Sequence, residues 1–305
     1  MELAGAHIAV TGATGFLGGY LVEELLGRGA EVAAVLRTPS KGAWLEERGA
    51  SLVRGELQDE QSLVRAFQGA DAVVANAALS VRGEDPALEV YEEANVGGCL
   101  RQLRAAARAG VSRVVLVSTL GVYRVSVWSE MDEAHTQTDE VSARWGLSRV
   151  TTNWKYCLSK QRGEARAWEL ASELGLELTA LRPGPIYGGR DHKLTREYRE
   201  KLGGSWVFAP TLRIPHVHAG DVAQACAGSL ANPGSVGRAY NLPGTRTSPY
   251  QALRALNEQL DGRCTVLPVP LPLSVRFSDA AARRDLGYRP RSIDEGMREV
   301  ASVQP

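Results

Sequence analysis

The chain has 305 residues, of which 44% are hydrophobic, and its 35 basic and 35 acidic side chains give a formal net charge of zero. This composition is typical of a globular protein with one or two domains. The balanced charge gives no reason to expect a nucleic acid or an anionic membrane as a partner. No apolar run reaches the roughly 18 residues of a membrane span, and the opening MELAGAH lacks the basic start and apolar stretch of a signal peptide.

The cysteines are scattered along the chain. Cys99, Cys157, Cys226 and Cys264 form no CxxC motif. This spacing indicates reduced thiols in a cytoplasmic protein, with neither a disulfide framework nor a metal site.

A glycine-rich segment, VTGATGFLGG, follows the first predicted strand, His7 to Val10, and precedes a run with helical periodicity, Tyr20 to Leu26. Gly12, Gly15 and Gly18 stand three residues apart in it. Glycine permits a tight turn and close approach of a ligand, and a helix N-terminus presents free N–H groups and a favourable dipole to anions. The segment therefore predicts a pyrophosphate site, with a turn that binds nothing as the alternative.

Strands and helices then alternate. This rhythm predicts an α/β fold with a doubly wound parallel (Rossmann) sheet, whose ligands bind beyond the carboxyl ends of the strands. The predicted strands cover 31–36, 51–53, 72–75, 113–118 and 178–181, and the predicted helices cover 42–49, 60–67, 88–109 and 155–174.

The pattern becomes irregular after residue 181. We predict a dinucleotide-binding domain over 1–181, with segments near 215–245 returning to it, and a smaller mixed substrate-binding domain over 182–305. Predicted elements in this part are strands at 215–217 and 238–242, helices at 221–230, 249–260 and from 279 to 286, and a proline-broken apolar run at 265–272.

Two polar motifs indicate chemistry. Tyr156 and Lys160 lie four apart on a predicted helix, so the ammonium can approach the phenol, lower its pKa and make it a proton-transfer group. Ser118 and Thr119 end the strand RVVLVS, where a hydroxyl can hydrogen-bond a substrate oxygen. Each motif alone also fits a structural role, as a surface pair or a capped strand end.

Together these motifs resemble the extended branch of the short-chain dehydrogenase/reductase family, which includes NAD-dependent epimerases and dehydratases. The resemblance implies a catalytic triad of Thr119, Tyr156 and Lys160, with Ser118 beside Thr119. Further segments that resemble the family are NAA at 76–78, NVGG at 95–98, LRPGPIYG at 181–188, PHVHAGDVA at 215–223 and DLGYRP at 285–290.

The resemblance also implies a cofactor site. The expected cofactor-binding residues are Gly12, Thr14, Gly15, Phe16, Leu17, Gly18, Arg37, Lys41, Glu56, Leu57, Asn76, Ala77, Ala78, Asn95, Tyr156, Lys160, Pro183 and Ile186.

The end of the second strand indicates which nucleotide is bound. NAD enzymes usually have an acidic residue there, on the ribose 2′-hydroxyl, whereas this chain has Arg37, with Lys41 four residues later. Because arginine suits a 2′-phosphate, we expect NADP, with NAD possible. A solvated basic pair is the alternative.

Several reactions share this set of residues. Dehydratases of the family have Asp-Glu after the catalytic threonine, where this chain has Leu120-Gly121. We therefore expect an NADP-dependent oxidoreductase acting on a carbonyl or alcohol, with an NAD(P)-dependent nucleotide-sugar epimerase as the alternative enzyme. A non-catalytic NADP-binding sensor or scaffold is the alternative of another class.

The substrate itself is not defined by the sequence, beyond a small carbonyl compound or a sugar nucleotide. Trp128, Trp145 and Trp154 either line the substrate site or pack within an inserted segment, and the basic residues of 190–201 are interleaved with acidic ones, as on a solvated helix. The apolar positions of 88–109 are compatible with a homodimer or with core burial.

Overall fold

The computed structural model describes residues 1–80, 86–146 and 153–303. Its centre is a seven-stranded sheet in which all neighbouring strands are parallel. In spatial order the strands are β3 (Ser51–Arg54), β2 (Glu31–Leu36), β1 (His7–Thr11), β4 (Ala72–Ala75), β5 (Arg113–Val117), β7 (Glu177–Pro183) and β11 (Ala239–Leu242).

Helices cover both faces of this sheet. Ile8 and Val10 of β1 belong to one apolar cluster and Ala9, between them, belongs to another, because successive side chains of a strand point to opposite faces. The helices are α1 (Phe16–Gly27), α2 (Ala43–Glu46), α3 (Glu60–Phe67), α4 (Leu88–Glu92), α5 (Gly98–Arg108), α6 (Glu140–Trp145), α7 (Trp154–Leu174), α8 (His192–Leu202), α9 (Ala219–Ala231), α10 (Pro249–Gln259), α11 (Ala280–Leu286) and α12 (Ile293–Ser302).

Small sheets lie beside the main one. Their strands are β6 (Glu130–Met131), β8 (Ile186–Tyr187), β9 (Trp206–Pro210), β10 (Ile214–His218), β12 (Thr245–Thr247), β13 (Thr265–Val269) and β14 (Arg276–Phe277). β10 pairs with β8 in parallel and with β12 in antiparallel fashion, and β9–β13 and β6–β14 form parallel pairs.

The predicted doubly wound α/β fold is confirmed. In the segment 215–245, β11 pairs within the main sheet, whereas β10 joins a small sheet. The domain boundary after residue 181 stays a prediction. In the described ranges, no helix combines the length and apolarity needed to cross a membrane.

Local features account for the other differences. The predicted helix over 88–109 contains a π-helical turn at Glu93–Gly97, between α4 and α5. The predicted irregular segment 124–153 contains β6 and α6, and its residues 147–152 lie outside the described ranges. The sequence interpretation missed α12, which begins at a capping box between Ser292 and Glu295.

Candidate active site

The glycine turn, residues 12–18, joins β1 to α1 at the carboxyl edge of the sheet. Gly12 has a φ of +64°, which favours glycine. A Cβ on Gly18 would lie 2.1 Å from the carbonyl oxygen of Gly12 and 2.7 Å from backbone atoms of Ala13. Gly15 caps α1 without a side-chain acceptor, and Thr14 and Gly15 are exposed. The turn thus leaves an exposed helix N-terminus that suits an anion.

The end of β4 lies against this turn. Thr11 Oγ1 accepts hydrogen bonds from the amides of Asn76 at 3.1 Å and Ala77 at 3.0 Å. Asn76 Nδ2 donates to the carbonyl oxygens of Thr11 and Gly12, both at 3.3 Å. Ala78 is exposed beside them. The predicted Asn76–Ala78 segment therefore lies next to the glycine turn.

Asn95 lies in the π-helical turn and is buried. Its Oδ1 accepts from the Leu79 amide at 2.7 Å, and its Nδ2 donates to the Leu79 carbonyl at 3.1 Å and to Ser159 Oγ at 2.9 Å. These bonds use both the oxygen and the nitrogen of the side-chain amide. Asn95 therefore holds the segment after β4 against α7, which is an indirect contribution to a cofactor site.

Arg37 directly follows β2 and Lys41 lies in the next turn, and both are exposed. Within the described part of the chain, neither cation has an ion pair. Glu56 and Leu57 follow β3. The Glu56 amide donates to Ser62 Oγ at 3.0 Å, and the Leu57 carbonyl accepts from Arg101 Nε at 2.5 Å. The structure thus has two exposed cations at the end of β2.

Thr119 and Tyr156 come together beyond the end of β5. Tyr156 lies in the first turn of α7, which Asn153 caps by accepting from the amides of Lys155 at 3.0 Å and Tyr156 at 3.2 Å. Burial raises the pKa of the Tyr156 phenol, the neighbouring Cys157 thiol raises it further, and a hydrogen bond with the Thr119 side chain lowers it. The effect of burial on the pKa is larger than that of the hydrogen bond, so the pKa lies above that of a free phenol and the group is protonated at neutral pH.

Lys160 shares a helix face with Tyr156, but the pKa of Tyr156 is not lowered as the sequence interpretation expected. The Lys160 Nζ donates to the carbonyl oxygen of Val117 at 2.7 Å, and the pKa of Tyr156 is raised. Burial lowers the pKa of Lys160, and the nearby Cys99 and Glu164 raise it. A spacing of four residues places two side chains on one face of a helix, but it does not determine which acceptor the lysine ammonium donates to.

Ser118 faces away from Thr119. Its Oγ donates to the carboxylate of Glu164, and Arg182 donates to the same carboxylate from Nε at 3.0 and 3.2 Å and from Nη2. All three side chains are buried. The sequence interpretation missed this cluster, although a Glu four residues after Lys160 and an Arg after the apolar run 178–181 were visible signals.

The remaining predicted residues lie further along this edge. Pro183 ends β7 and is buried, and Ile186 is half-buried in β8. Trp128 and Trp145 are 89% and 72% exposed. Trp154 contacts the cations of Arg144 and Lys155. On α8, i,i+4 pairs such as Lys201–Glu197 agree with a solvated helix.

Comparison with known proteins identifies the family. The model of the NAD dependent epimerase/dehydratase family matches residues 8–242. Cinnamoyl-CoA reductase 1 of Oryza sativa subsp. japonica is 31% identical, over 96% of this chain and 88% of its own length. The chain therefore belongs to the NAD-dependent epimerase/dehydratase family, and the resemblance to extended short-chain dehydrogenases/reductases is confirmed.

Two further matches are informative. Cinnamoyl-CoA reductase 1 of Arabidopsis thaliana is 33% identical over 61% of this chain, and the match spans only 54% of that relative. Among solved structures, MoeE5 in complex with UDP-glucuronic acid and NAD has a TM-score of 0.77 and 26% identity, and the match covers 96% of this chain and 97% of that one.

The residues present fit a dinucleotide. The glycine turn is so closely packed that side chains at positions 12 and 18 would meet backbone atoms, and it leaves the start of α1 without a side-chain cap. The exposed cations Arg37 and Lys41 lie beyond the neighbouring strand. These features supply backbone donors for a pyrophosphate and positive charge for a further phosphate.

Proposed function

We propose that the protein is an NADP-dependent oxidoreductase that transfers a hydride between the nicotinamide and a carbonyl or alcohol substrate. The observation that carries the proposal is the half-buried Tyr156 phenol, which is hydrogen-bonded to Thr119 at the carboxyl edge of the sheet and has a raised pKa. A neutral phenol is a proton donor, so the arrangement suits reduction of a carbonyl.

Each side chain has one role in this proposal. When bound, the reduced nicotinamide supplies the hydride to the carbonyl carbon. Tyr156 donates its proton to the carbonyl oxygen, so that the substrate gains one hydride and one proton and becomes an alcohol. Thr119 hydrogen-bonds the same oxygen and positions it. Lys160 places a buried cation beside the end of β5, where it stabilises the phenolate that remains.

The glycine turn and its neighbours hold the cofactor in this proposal. Gly12, Thr14, Gly15, Phe16, Leu17 and Gly18 receive the pyrophosphate, and Arg37 and Lys41 the 2′-phosphate. Glu56 and Leu57 would hold the adenine, and Asn76, Ala77 and Ala78 would line a ribose. The remaining contacts come from Tyr156 and Lys160 beside the nicotinamide, from Pro183 and Ile186, and indirectly from Asn95.

We propose a small carbonyl compound as substrate. The two relatives named cinnamoyl-CoA reductase favour a conjugated aromatic carbonyl compound. MoeE5, in complex with UDP-glucuronic acid and NAD, favours the alternative of an NAD(P)-dependent nucleotide-sugar epimerase. Arg37 supports the first reading, because a 2′-phosphate site belongs to an exchangeable NADP.

The test combines cofactor and substrate measurements on the purified protein. Mass spectrometry of the denatured protein identifies any co-purified dinucleotide, and NADPH oxidation at 340 nm is followed with aromatic carbonyls, cinnamoyl-CoA included. We expect NADPH oxidation with a carbonyl compound. Tightly retained NAD with interconversion of UDP-sugars indicates the epimerase, and NADPH binding without turnover across the panel indicates a sensor or scaffold.

We further propose a homodimer in the cytoplasm. Val90 on α4 is 50% exposed, so core burial does not account for this apolar position of the segment 88–109, and contact with a second copy is the alternative. All four cysteines are buried and none forms a disulfide, which suits a reducing compartment. Light scattering of the purified protein gives the oligomeric mass, and a monomer at micromolar concentration contradicts the dimer.

A further inference from the structure

A buried ion pair lies directly behind the residues proposed for catalysis. The side chains of Glu164 and Arg182 are 1% and 4% exposed, and two charges buried this deeply are stable only with several polar partners. Glu164 accepts from Arg182, from Ser118 and from Trp168 Nε1 at 3.3 Å. Arg182 also donates to the Tyr123 hydroxyl, which itself donates to Asn241 Oδ1 at 2.8 Å. The carboxylate is therefore held from several sides.

This carboxylate fixes the end of β5. The Ser118 amide donates to the Leu181 carbonyl at 2.7 Å while its hydroxyl donates to Glu164. Thr119 continues with an extended backbone, φ −162° and ψ 152°. Successive side chains of an extended chain point to opposite sides. With Ser118 held on Glu164, Thr119 is directed to the other side, where it meets Tyr156.

Residues from successive turns of helix α7 contact the end of β5. Tyr156, Lys160 and Glu164 are spaced by four and therefore share one face of the helix. Lys160 donates to the Val117 carbonyl at 2.7 Å, and Glu164 receives the hydroxyl of Ser118, the next residue. The negative charge of Glu164 also raises the pKa of Lys160 against the effect of burial.

We propose that Glu164, held by Arg182, is a positioning residue that orients Thr119 towards Tyr156 through its hydrogen bond with Ser118. The proposal rests on the proposed oxidoreductase function, and it adds a residue that touches neither substrate nor cofactor.

The test compares Glu164→Gln with Glu164→Asp. Gln keeps the length of the side chain and removes its charge, whereas Asp keeps the charge and shortens the reach to Ser118. We expect Asp to lower kcat about ten- to a hundredfold, since small misplacements near reacting groups cost that much, with the NADPH dissociation constant unchanged. We expect Gln to shift the pKa of Lys160 downwards, and Asp to preserve it.

Two measurements separate positioning from general support. The pKa of Lys160 is read from the pH dependence of its ε-carbon NMR shift, which needs no turnover, and the high-pH limb of kcat is followed in parallel. Glu169→Gln is the matched control, because Glu169 lies on the same helix with 60% of its side chain exposed. The proposal is overturned if the Glu164 variants match this control in kcat and in the Lys160 titration.

Two further variants keep the outcomes distinct. If Glu164→Gln fails to fold, Ser118→Ala removes the hydroxyl donor instead, and an unchanged kcat in that variant overturns the positioning role. Tyr156→Phe tests the proposed function itself. Retained turnover in Tyr156→Phe overturns both proposals. If Tyr156→Phe loses turnover but the Glu164 variants behave like the Glu169→Gln control, only the positioning role is overturned.

Discussion

The glycine turn and the cluster formed by the proposed catalytic residues Thr119, Tyr156 and Lys160 with Glu164 behind them lie at the same edge of the sheet but are built in opposite ways. The turn works with backbone: Cβ atoms at Gly12 and Gly18 would meet backbone atoms within 3.0 Å, and the helix cap has no side chain. The cluster works with side chains, and Lys160 and Glu164 are buried at 7% and 1% exposure.

This difference indicates which kind of substitution damages the glycine turn and which kind damages the cluster. A backbone site is damaged by adding atoms, because an added Cβ would displace the backbone that forms the turn. A buried side-chain site is damaged by removing a functional group, because the proton or hydrogen bond that it supplies has no replacement. We therefore expect added atoms at the turn to change binding and removed atoms in the cluster to change turnover.

The largest effect is expected in the cluster. Tyr156→Phe removes only the phenolic hydroxyl, and kcat is expected to fall about 10²- to 10⁴-fold because the proton donor is lost. NADPH binding, measured by fluorescence titration, is expected to stay as in the wild type. A kcat within threefold of the wild type, or a matching loss of NADPH affinity, contradicts the division between the two regions.

The converse change is Gly18→Ala in the glycine turn. Its Cβ would lie 2.1 Å from the Gly12 carbonyl oxygen, so we expect weaker NADPH binding and a free energy of unfolding lowered by about 1–3 kcal/mol. Calorimetric titration and urea denaturation measure the two effects. Gly27→Ala, at the end of the same helix with no atom within 4 Å of its Cβ, is the control and is expected to bind NADPH normally.

The positive charge of Arg37 is expected to affect only the preference for NADPH over NADH. Arg37→Ser is expected to weaken NADPH relative to NADH by about ten- to a hundredfold, the worth of a charge-assisted hydrogen bond. The ratio of kcat/KM for the two cofactors measures it. Arg65→Ser, an exposed arginine on α3, serves as the control. An unchanged ratio in Arg37→Ser contradicts the 2′-phosphate assignment.

The smallest effect concerns the support behind the glycine turn. Glu299 on α12 accepts from the Tyr20 hydroxyl of α1 at 2.5 Å, and His218 Nε2 lies 2.7 Å from it. Burial raises the pKa of Glu299, but hydrogen bonds with His218 and Tyr20 outweigh burial and lower it to about 2 from 4.5. A depressed carboxyl pKa stabilises the fold above the unfolded value, so this stability is lost as pH falls from 4.5 to about 2.

The measurement is urea denaturation across that pH range. Glu299→Gln is expected to show a smaller loss of stability between pH 4.5 and 2 than the wild type, and unchanged kcat at neutral pH. Equal slopes for the two proteins show that Glu299 contributes nothing to the acid sensitivity. A large fall in kcat at neutral pH shows that this support reaches the cluster.

Local patterns were enough for most of the main sheet. The predicted bounds for Glu60–Phe67 and Ala72–Ala75 agree with the structure, because the apolar periodicity and the Asp59 cap depend only on residues that are close in the sequence. The small sheets were missed in part, since strands such as Ile186–Tyr187 are short and depend on distant partners for their hydrogen bonds.

The site divides in the same way. By itself, the sequence determined the glycine turn, the hydroxyl–Tyr–Lys set and Arg37, because each depends on residue type and short spacing. Only the tertiary structure decided that Lys160 donates to Val117, that Asn95 holds Leu79, and that Glu164 joins Ser118 to Arg182. The physical reason is that buried polar groups must find partners, and the fold brings those partners from positions far apart in the chain.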